Sequence, residues 1–201
     1  MRGVRPITKE EAGKALAAFT GRYQTRDRAL FLFQFYTGRR ISQTLALRIG
    51  DVITEQGDVA PSVYFERRTV KKKTAGESIY LHRTLRKALR LWAKELREMG
   101  YFHRAHFIFQ SGRGKNRPLT RHEAYNIYHR AFRKAGIWGK LGTHSLRKSF
   151  ASAVYDHFDR DLVKTQHALG HIKIDSTVSY LNSFRNEEFI AAIDSLEEVN
   201  A

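Results

Sequence analysis

Not one of the 201 residues is cysteine. That absence excludes a disulfide framework and any thiolate metal site. Long apolar runs are missing too. None approaches the ~18 residues a membrane-spanning helix needs, and the N-terminus has no apolar signal core. The expectation is a soluble, cytoplasmic protein with no membrane partner. Internal repeats, long linkers and low-complexity segments are likewise absent. With 42% hydrophobic and 12% aromatic residues, the chain reads as one ordinary globular domain, able to bury roughly 70% of its unfolded surface.

Acidic residues are the other shortage. Asp and Glu number 20 against 36 Lys and Arg, a net charge of +16. The imbalance is uneven along the chain. Residues 186–201 hold Glu187, Glu188, Asp194, Glu197 and Glu198 and no Lys or Arg, so residues 1–185 carry +21. A balance of that size points to a polyanion as partner. The basic residues are spread over several predicted elements rather than gathered on one amphipathic helix, which favours nucleic acid over a membrane surface.

Local patterns predict a mainly α chain with a small antiparallel β-sheet. Thr8 with Glu11 is a capping-box signature, followed by a helix over 12–19. An apolar helix over 26–36 ends at Gly38, and a third runs from Ile41 to Arg48 and ends at Gly50. The period then changes. Residues 62–65, 69–70 and 78–81 read as short strands around a turn at Thr74-Ala75-Gly76. Leu85, Leu89, Trp92 and Leu96 mark a helix over 84–99. Residues 106–110 read as an isolated extended piece before a basic loop over 111–117. Thr120 with Glu123 forms a second capping box, opening a helix that reaches Gly136. Phe189, Ile190, Ile193 and Leu196 form a helical stripe in the acidic tail.

Chemistry concentrates between Thr143 and Leu181. His144 and Arg147 are three apart and share a helix face. Gly170 reads as a helix stop, leaving His171 just beyond the end. Asp175 or Ser176 can cap a further short helix bearing Tyr180. Two imidazoles, a guanidinium and a phenol on these segments suit phosphate chemistry, with Arg to neutralise, His to share protons and Tyr as nucleophile. Two other signatures fail. His122-Glu123 begins the zinc motif H-E-x-x-H, but position 126 is Asn. Gly114-Lys115 lacks the earlier glycine of a phosphate loop.

The ordered series H-x-x-R at 144–147, L-G-H at 169–171 and Tyr180 nine positions later resembles the tyrosine recombinase, or phage integrase, family. Thr37-Gly38-Arg39-Arg40-Ile41-Ser42-Gln43 resembles that family's T-G-x-R-x-S-E. The similarity spans about residues 6–185, and it implies the family's catalytic-domain fold. Two positions depart from the family: Arg39 replaces an apolar residue, and Gln43 an acidic one.

The resemblance implies roles. Arg40 and Arg147 would hold the non-bridging oxygens of a scissile phosphate. His144 would assist proton removal from the nucleophile, and His171 would donate to a phosphate oxygen. Lys72, with its neighbour Lys73 as the alternative, would protonate the leaving 5′ oxygen. Tyr180 would form a 3′-phosphotyrosine, which conserves bond energy so that neither ATP nor a metal cofactor is needed. Double-stranded DNA is the implied partner, with a nucleoid-associated location. The tail over 186–201 would dock on a neighbouring protomer in a tetramer on two DNA sites.

Larger members of the family carry a DNA-clamping domain before this one, and here the pattern starts within the first ten residues. The expectation is a catalytic domain over 1–185 without that N-terminal domain. It would be either a cut-down form of a longer protein or a minimal recombinase resembling the bacterial fimbrial invertases. A type IB-like topoisomerase and a non-catalytic DNA-binding regulator are the competing readings.

Overall fold

Thr8 begins the first helix as its spacing predicts. Its hydroxyl accepts from the Glu11 N–H at 3.1 Å, and the Glu11 carboxylate accepts from the Thr8 N–H at 2.9 Å. Two otherwise orphaned backbone donors are thereby satisfied at the start of α1 (Lys9–Ala18). The structure is a computed structural model that describes residues 3–66, 76–112, 116–170, 177, 178 and 181. The chain divides into two compact units, Met1–Phe150 and Ala151–Ala201.

In the first unit, α2 (Gln24–Thr37) is the central helix, and it packs on α5 (Arg83–Glu98). Its run of Ala29 to Phe33 is buried throughout. The Phe31 ring meets Phe19, Tyr128 and Phe132 edge-on at centroid separations of 5.6, 5.6 and 6.3 Å, the arrangement that the ring quadrupoles favour. Tyr128 and Phe132 belong to α6 (Arg121–Lys134), whose capping box joins Thr120 and Glu123 as expected. On α5 the predicted stripe of Leu85, Leu89, Trp92 and Leu96 is buried, and the Trp92 indole N–H donates to the Ile108 carbonyl at 2.7 Å.

The third predicted helix is corrected. Instead of one helix over 41–48 stopped by Gly50, there are two short ones, α3 (Ile41–Leu45) and α4 (Ile49–Val52), with Gly50 inside the second. The backbone between them pairs with residues 106–108: Ile108 N donates to Leu47 O, and Ile49 N to His106 O. Those non-local bonds satisfy groups that a continuous helix would have used. Gly50 serves close approach, since its N–H reaches the Arg104 carbonyl at 2.9 Å and a Cβ there would lie 3.2 Å from that oxygen. Leu45 and Leu47 are both buried, as the sequence suggested.

The hairpin strands are β1 (Ser62–Phe65) and β2 (Glu77–Tyr80), antiparallel, with Phe65 facing Glu77 and Ser62 facing Tyr80. Val63 and Phe65 point into the core while Tyr64 and Tyr80 face solvent, the period-two alternation of a half-buried ribbon. The second strand runs one residue earlier than predicted. The expected strand at 69–70, Lys72 and most of the turn fall outside the described residues. Residues 107 and 110 make isolated bridges to Arg48 and Pro118, so the predicted extended piece pairs with two separate partners.

The chain then enters α7 (Thr143–His157). In the second unit, Asp159 and Arg160 take left-handed conformations, φ 49° and 67°, and end that helix. Asp161 caps α8 (Leu162–Leu169) through its carboxylate, and Gly170 stops it at φ 60°, as the spacing predicts. Thr177, Val178 and Leu181 are helical or buried. His171, Asp175, Ser176, Tyr180 and the acidic tail lie outside the described residues. Among the described residues no helix is long and apolar enough to cross a membrane.

Candidate active site

Three of the six sequence-predicted site residues lie among the described residues, all in the first unit: Arg40, His144 and Arg147. The turn between α2 and α3 brings them together. Gly38 adopts φ 60° as the cap of α2, a left-handed value that side chains resist. It is also crowded, for a Cβ at 38 would overlap the Phe150 ring on α7. Glycine thus satisfies two demands at once, the reversal of the chain and the close approach of α7.

The Gly38 carbonyl accepts a hydrogen bond from Nη1 of Arg147. Arg147 is only 1% exposed, so its guanidinium is held by the same turn that presents Arg40. Arg40 opens α3 in an extended conformation, φ −63° and ψ 141°, with its side chain exposed. Its backbone N–H donates to Oε1 of Gln43 at 3.2 Å. An amide oxygen here does what a carboxylate would do at that position, so the substitution at 43 leaves the backbone of Arg40 anchored.

The two adjacent arginines have separate fates. Arg39 is buried and ion-paired to Glu77 at 2.8 Å, while the Arg40 side chain is open to solvent. A phosphate can reach only the second without dismantling an internal contact.

His144, in the first turn of α7, keeps a solvent-exposed edge. Its pKa is held below the ordinary imidazole value, first by desolvation from the protein around it and then by the charges of Arg147, Arg40 and Lys148. Those three cations place it electrostatically beside both arginines. A neutral imidazole at neutral pH can accept a proton. Sequence reading does not single out Lys148, although the i,i+4 spacing from His144 was a visible signal. Its ammonium pKa is lowered by burial.

This shift makes stability pH-dependent with a definite sign. An unfolded imidazole titrates near pH 6.5 and the folded one lower. In the interval between them the unfolded chain binds the extra proton, so acidification destabilises the fold and stability levels off above that range. Melting wild type and His144→Gln from about pH 8 to about pH 5 should show the larger loss in wild type. Equal losses would assign the acid sensitivity to other groups.

Among the described residues no group of three or more His, Asp or Glu side chains is placed to hold a metal ion. Glu123, part of the rejected zinc signature, is occupied as the capping partner of Thr120.

The turn at Gly38 thus holds the Arg147 guanidinium and presents Arg40, with the His144 imidazole, its pKa lowered, on α7. The phage integrase family matches residues 5–187, and the chain belongs to that family. It is similar to the probable integrase/recombinase YoeC of Bacillus subtilis, 28% identical over 178 residues that cover 89% of each chain. It is also similar to the tyrosine recombinase XerH of Campylobacter jejuni, 27% identical over 199 residues. That match covers 96% of this chain and 52% of XerH, so this chain spans about half the length of its Xer relatives.

Among solved structures, XerA recombinase superposes with a TM-score of 0.73 at 20% identity, covering 98% of this chain and 67% of that one. XerH bound to a palindromic difH substrate superposes at 0.72 and 24% identity, covering 96% and 54%. These likenesses show the tyrosine recombinase catalytic-domain fold. The curated relatives carry the names integrase/recombinase and tyrosine recombinase. They favour neither the topoisomerase nor the regulator reading.

Proposed function

We propose that this chain cuts and rejoins double-stranded DNA at a specific site through a 3′-phosphotyrosine on Tyr180. The observation that carries the reading is the turn at Gly38, which holds the buried Arg147 and presents Arg40 beside a neutral His144. Arg40 and Arg147 hold the non-bridging oxygens and offset charge growing at the pentavalent phosphorus. The Tyr180 oxygen bonds to phosphorus as its proton passes toward His144. The bond to the 5′ oxygen breaks, and that oxygen takes a proton from Lys72 or its neighbour Lys73. His171 donates to a phosphate oxygen. Religation reverses each step, so one ester replaces another and no nucleotide is consumed.

Residues 1–185 form the catalytic domain in this reading, and residues 186–201 form a helix that docks on a neighbouring protomer. Phe189, Ile190, Ile193 and Leu196 supply its apolar face, and its five acidic residues meet a neighbour whose residues 1–185 carry +21. Such exchange would build a tetramer on two DNA sites, in the cytoplasm and in association with the nucleoid.

Deleting residues 186–201 separates the two activities. The truncated chain should still form a covalent adduct on a single nicked DNA site, whereas product from two sites on one plasmid should fall to background. Recombinant product from the truncated chain at the wild-type rate would remove the tail from assembly. Relaxed topoisomers without recombinant product from the full chain would support a topoisomerase instead.

A further inference from the structure

We propose that Arg39 is a positioning residue for strand cleavage: it clamps the base of the β-hairpin to the turn that carries Arg40. The proposal rests on the function argued above, because its consequence is the placement of the hairpin lysine against the leaving oxygen.

The clamp grips both sides of one rung. Nη1 and Nη2 of Arg39 donate to the two carboxylate oxygens of Glu77 at 2.8 and 3.4 Å. The guanidinium carbon also lies 5.9 Å from the centroid of the Phe65 ring. Phe65 and Glu77 face each other in the strand register, and among the described residues they are the pair nearest the turn. Lys73 precedes Glu77 by four residues and Lys72 by five. The guanidinium therefore engages the strand ends from which the lysine-bearing turn departs.

At its other end the clamp is anchored in α2. The Arg39 N–H donates to the Thr37 hydroxyl at 3.3 Å, and the Arg39 carbonyl accepts from Nε2 of Gln34 at 3.2 Å. Phe33, also on α2, meets the Phe65 ring edge-on at 6.4 Å. Arg39 is thus tied to the helix that ends at Gly38 and is bonded directly to Arg40. A forked guanidinium fixes direction as well as distance, and its side chain is 4% exposed against 28% for Glu77. Such a pair is less screened than a surface bridge. An apolar side chain at 39, the type the family pattern has there, would fill the space but exert no hold on Glu77.

Two readouts test this. The first is amide exchange at residues 62–65 and 77–80 in wild type, Arg39→Leu and Glu77→Gln. Exchange in the hairpin should accelerate in both variants while α5 and α6 keep their protection. Unchanged hairpin exchange overturns the clamp, as does acceleration spread over the whole domain.

The second uses nicked duplexes carrying a site mapped from covalent adducts on supercoiled DNA, with oxygen or sulfur at the bridging 5′ position. With oxygen, the P–O5′ bond breaks and the electron pair on oxygen takes the lysine proton. With sulfur, the P–S bond breaks and the pair leaves as a thiolate, which needs no proton because thiols are far more acidic than alcohols. Arg39→Leu should form adduct about tenfold more slowly than wild type on oxygen, a partial loss of general-acid catalysis. It should match wild type on sulfur, as Lys72→Ala or Lys73→Ala should. A deficit that persists on sulfur assigns Arg39 to the phosphate pocket or to folding and refutes the positioning role. Wild type that forms no adduct on supercoiled DNA refutes the transesterase reading, while the exchange result still decides the clamp.

Discussion

Tyr180→Phe is expected to abolish covalent attachment to DNA while leaving binding close to wild type. The substitution removes one oxygen and keeps the ring, so whatever packing the side chain makes is largely retained. In the proposed reaction the lost atom is the one that bonds to phosphorus. Affinity has a different origin. In the proposed reading it comes from Lys and Arg contacts to backbone phosphates, spread over residues 1–185 with their charge of +21, and it weakens steeply with salt. A gel-shift titration and a denaturing gel on the same nicked duplex separate the two quantities. Adduct at wild-type yield from the mutant would move the nucleophile to another residue. Parallel loss of binding would make Tyr180 a structural residue of the interface.

The second large effect is at Arg147. Arg147→Ala is expected to slow cleavage by on the order of 10²-fold or more, the scale seen when one preorganised donor to developing charge is removed. Arg147 is also 1% exposed and donates to the Gly38 carbonyl. Truncation therefore leaves a void and an orphaned carbonyl, at a cost of about 1–3 kcal/mol for the lost partner. A fall in activity could then reflect a loosened turn. Arg147→Lys distinguishes the causes, because it keeps the charge and most of the volume while losing the planar fork. A variant that melts near wild type yet still cleaves at least about tenfold more slowly assigns the effect to phosphate recognition. Wild-type cleavage by Arg147→Lys would mean that charge alone suffices.

Much of the fold was legible because its signals are local. The boxes at Thr8 and Thr120 name their own helices, since Thr and Glu three apart satisfy orphaned N–H groups by themselves. The stripe on α5 and the stops at Gly38 and Gly170 are equally short-range. What failed was non-local. Residues 46–48 could have continued the helix, but the backbone there and at the start of α4 bonds instead to residues 106–108. Gly50, an ordinary helix stop by pattern, is instead set by the nearness of the Arg104 backbone. No window of sequence around residue 50 contains that information.

The site divides along the same line. The motif around Thr37 marks Arg40 by position, yet it offers no physical reason to prefer it to Arg39. The reason is Glu77, nearly forty residues away, which occupies Arg39 and leaves its neighbour open. Gln43 departs from the acidic residue of the family pattern, and the structure shows its amide oxygen accepting from the Arg40 N–H. Lys148 escaped notice because spacing alone reveals neither its partial burial nor the effect of its charge on His144.

The most direct test of the central claim is to identify the protein atom that becomes attached to DNA. Adduct formed on a nicked duplex would be digested with nuclease and protease, and the nucleotide-bearing peptide sequenced by mass spectrometry. The account predicts a single modified peptide, with the 3′-phosphate on Tyr180 and a free 5′ hydroxyl on the released strand. Attachment at any of the other eight tyrosines, or a 5′-linked adduct, would contradict it.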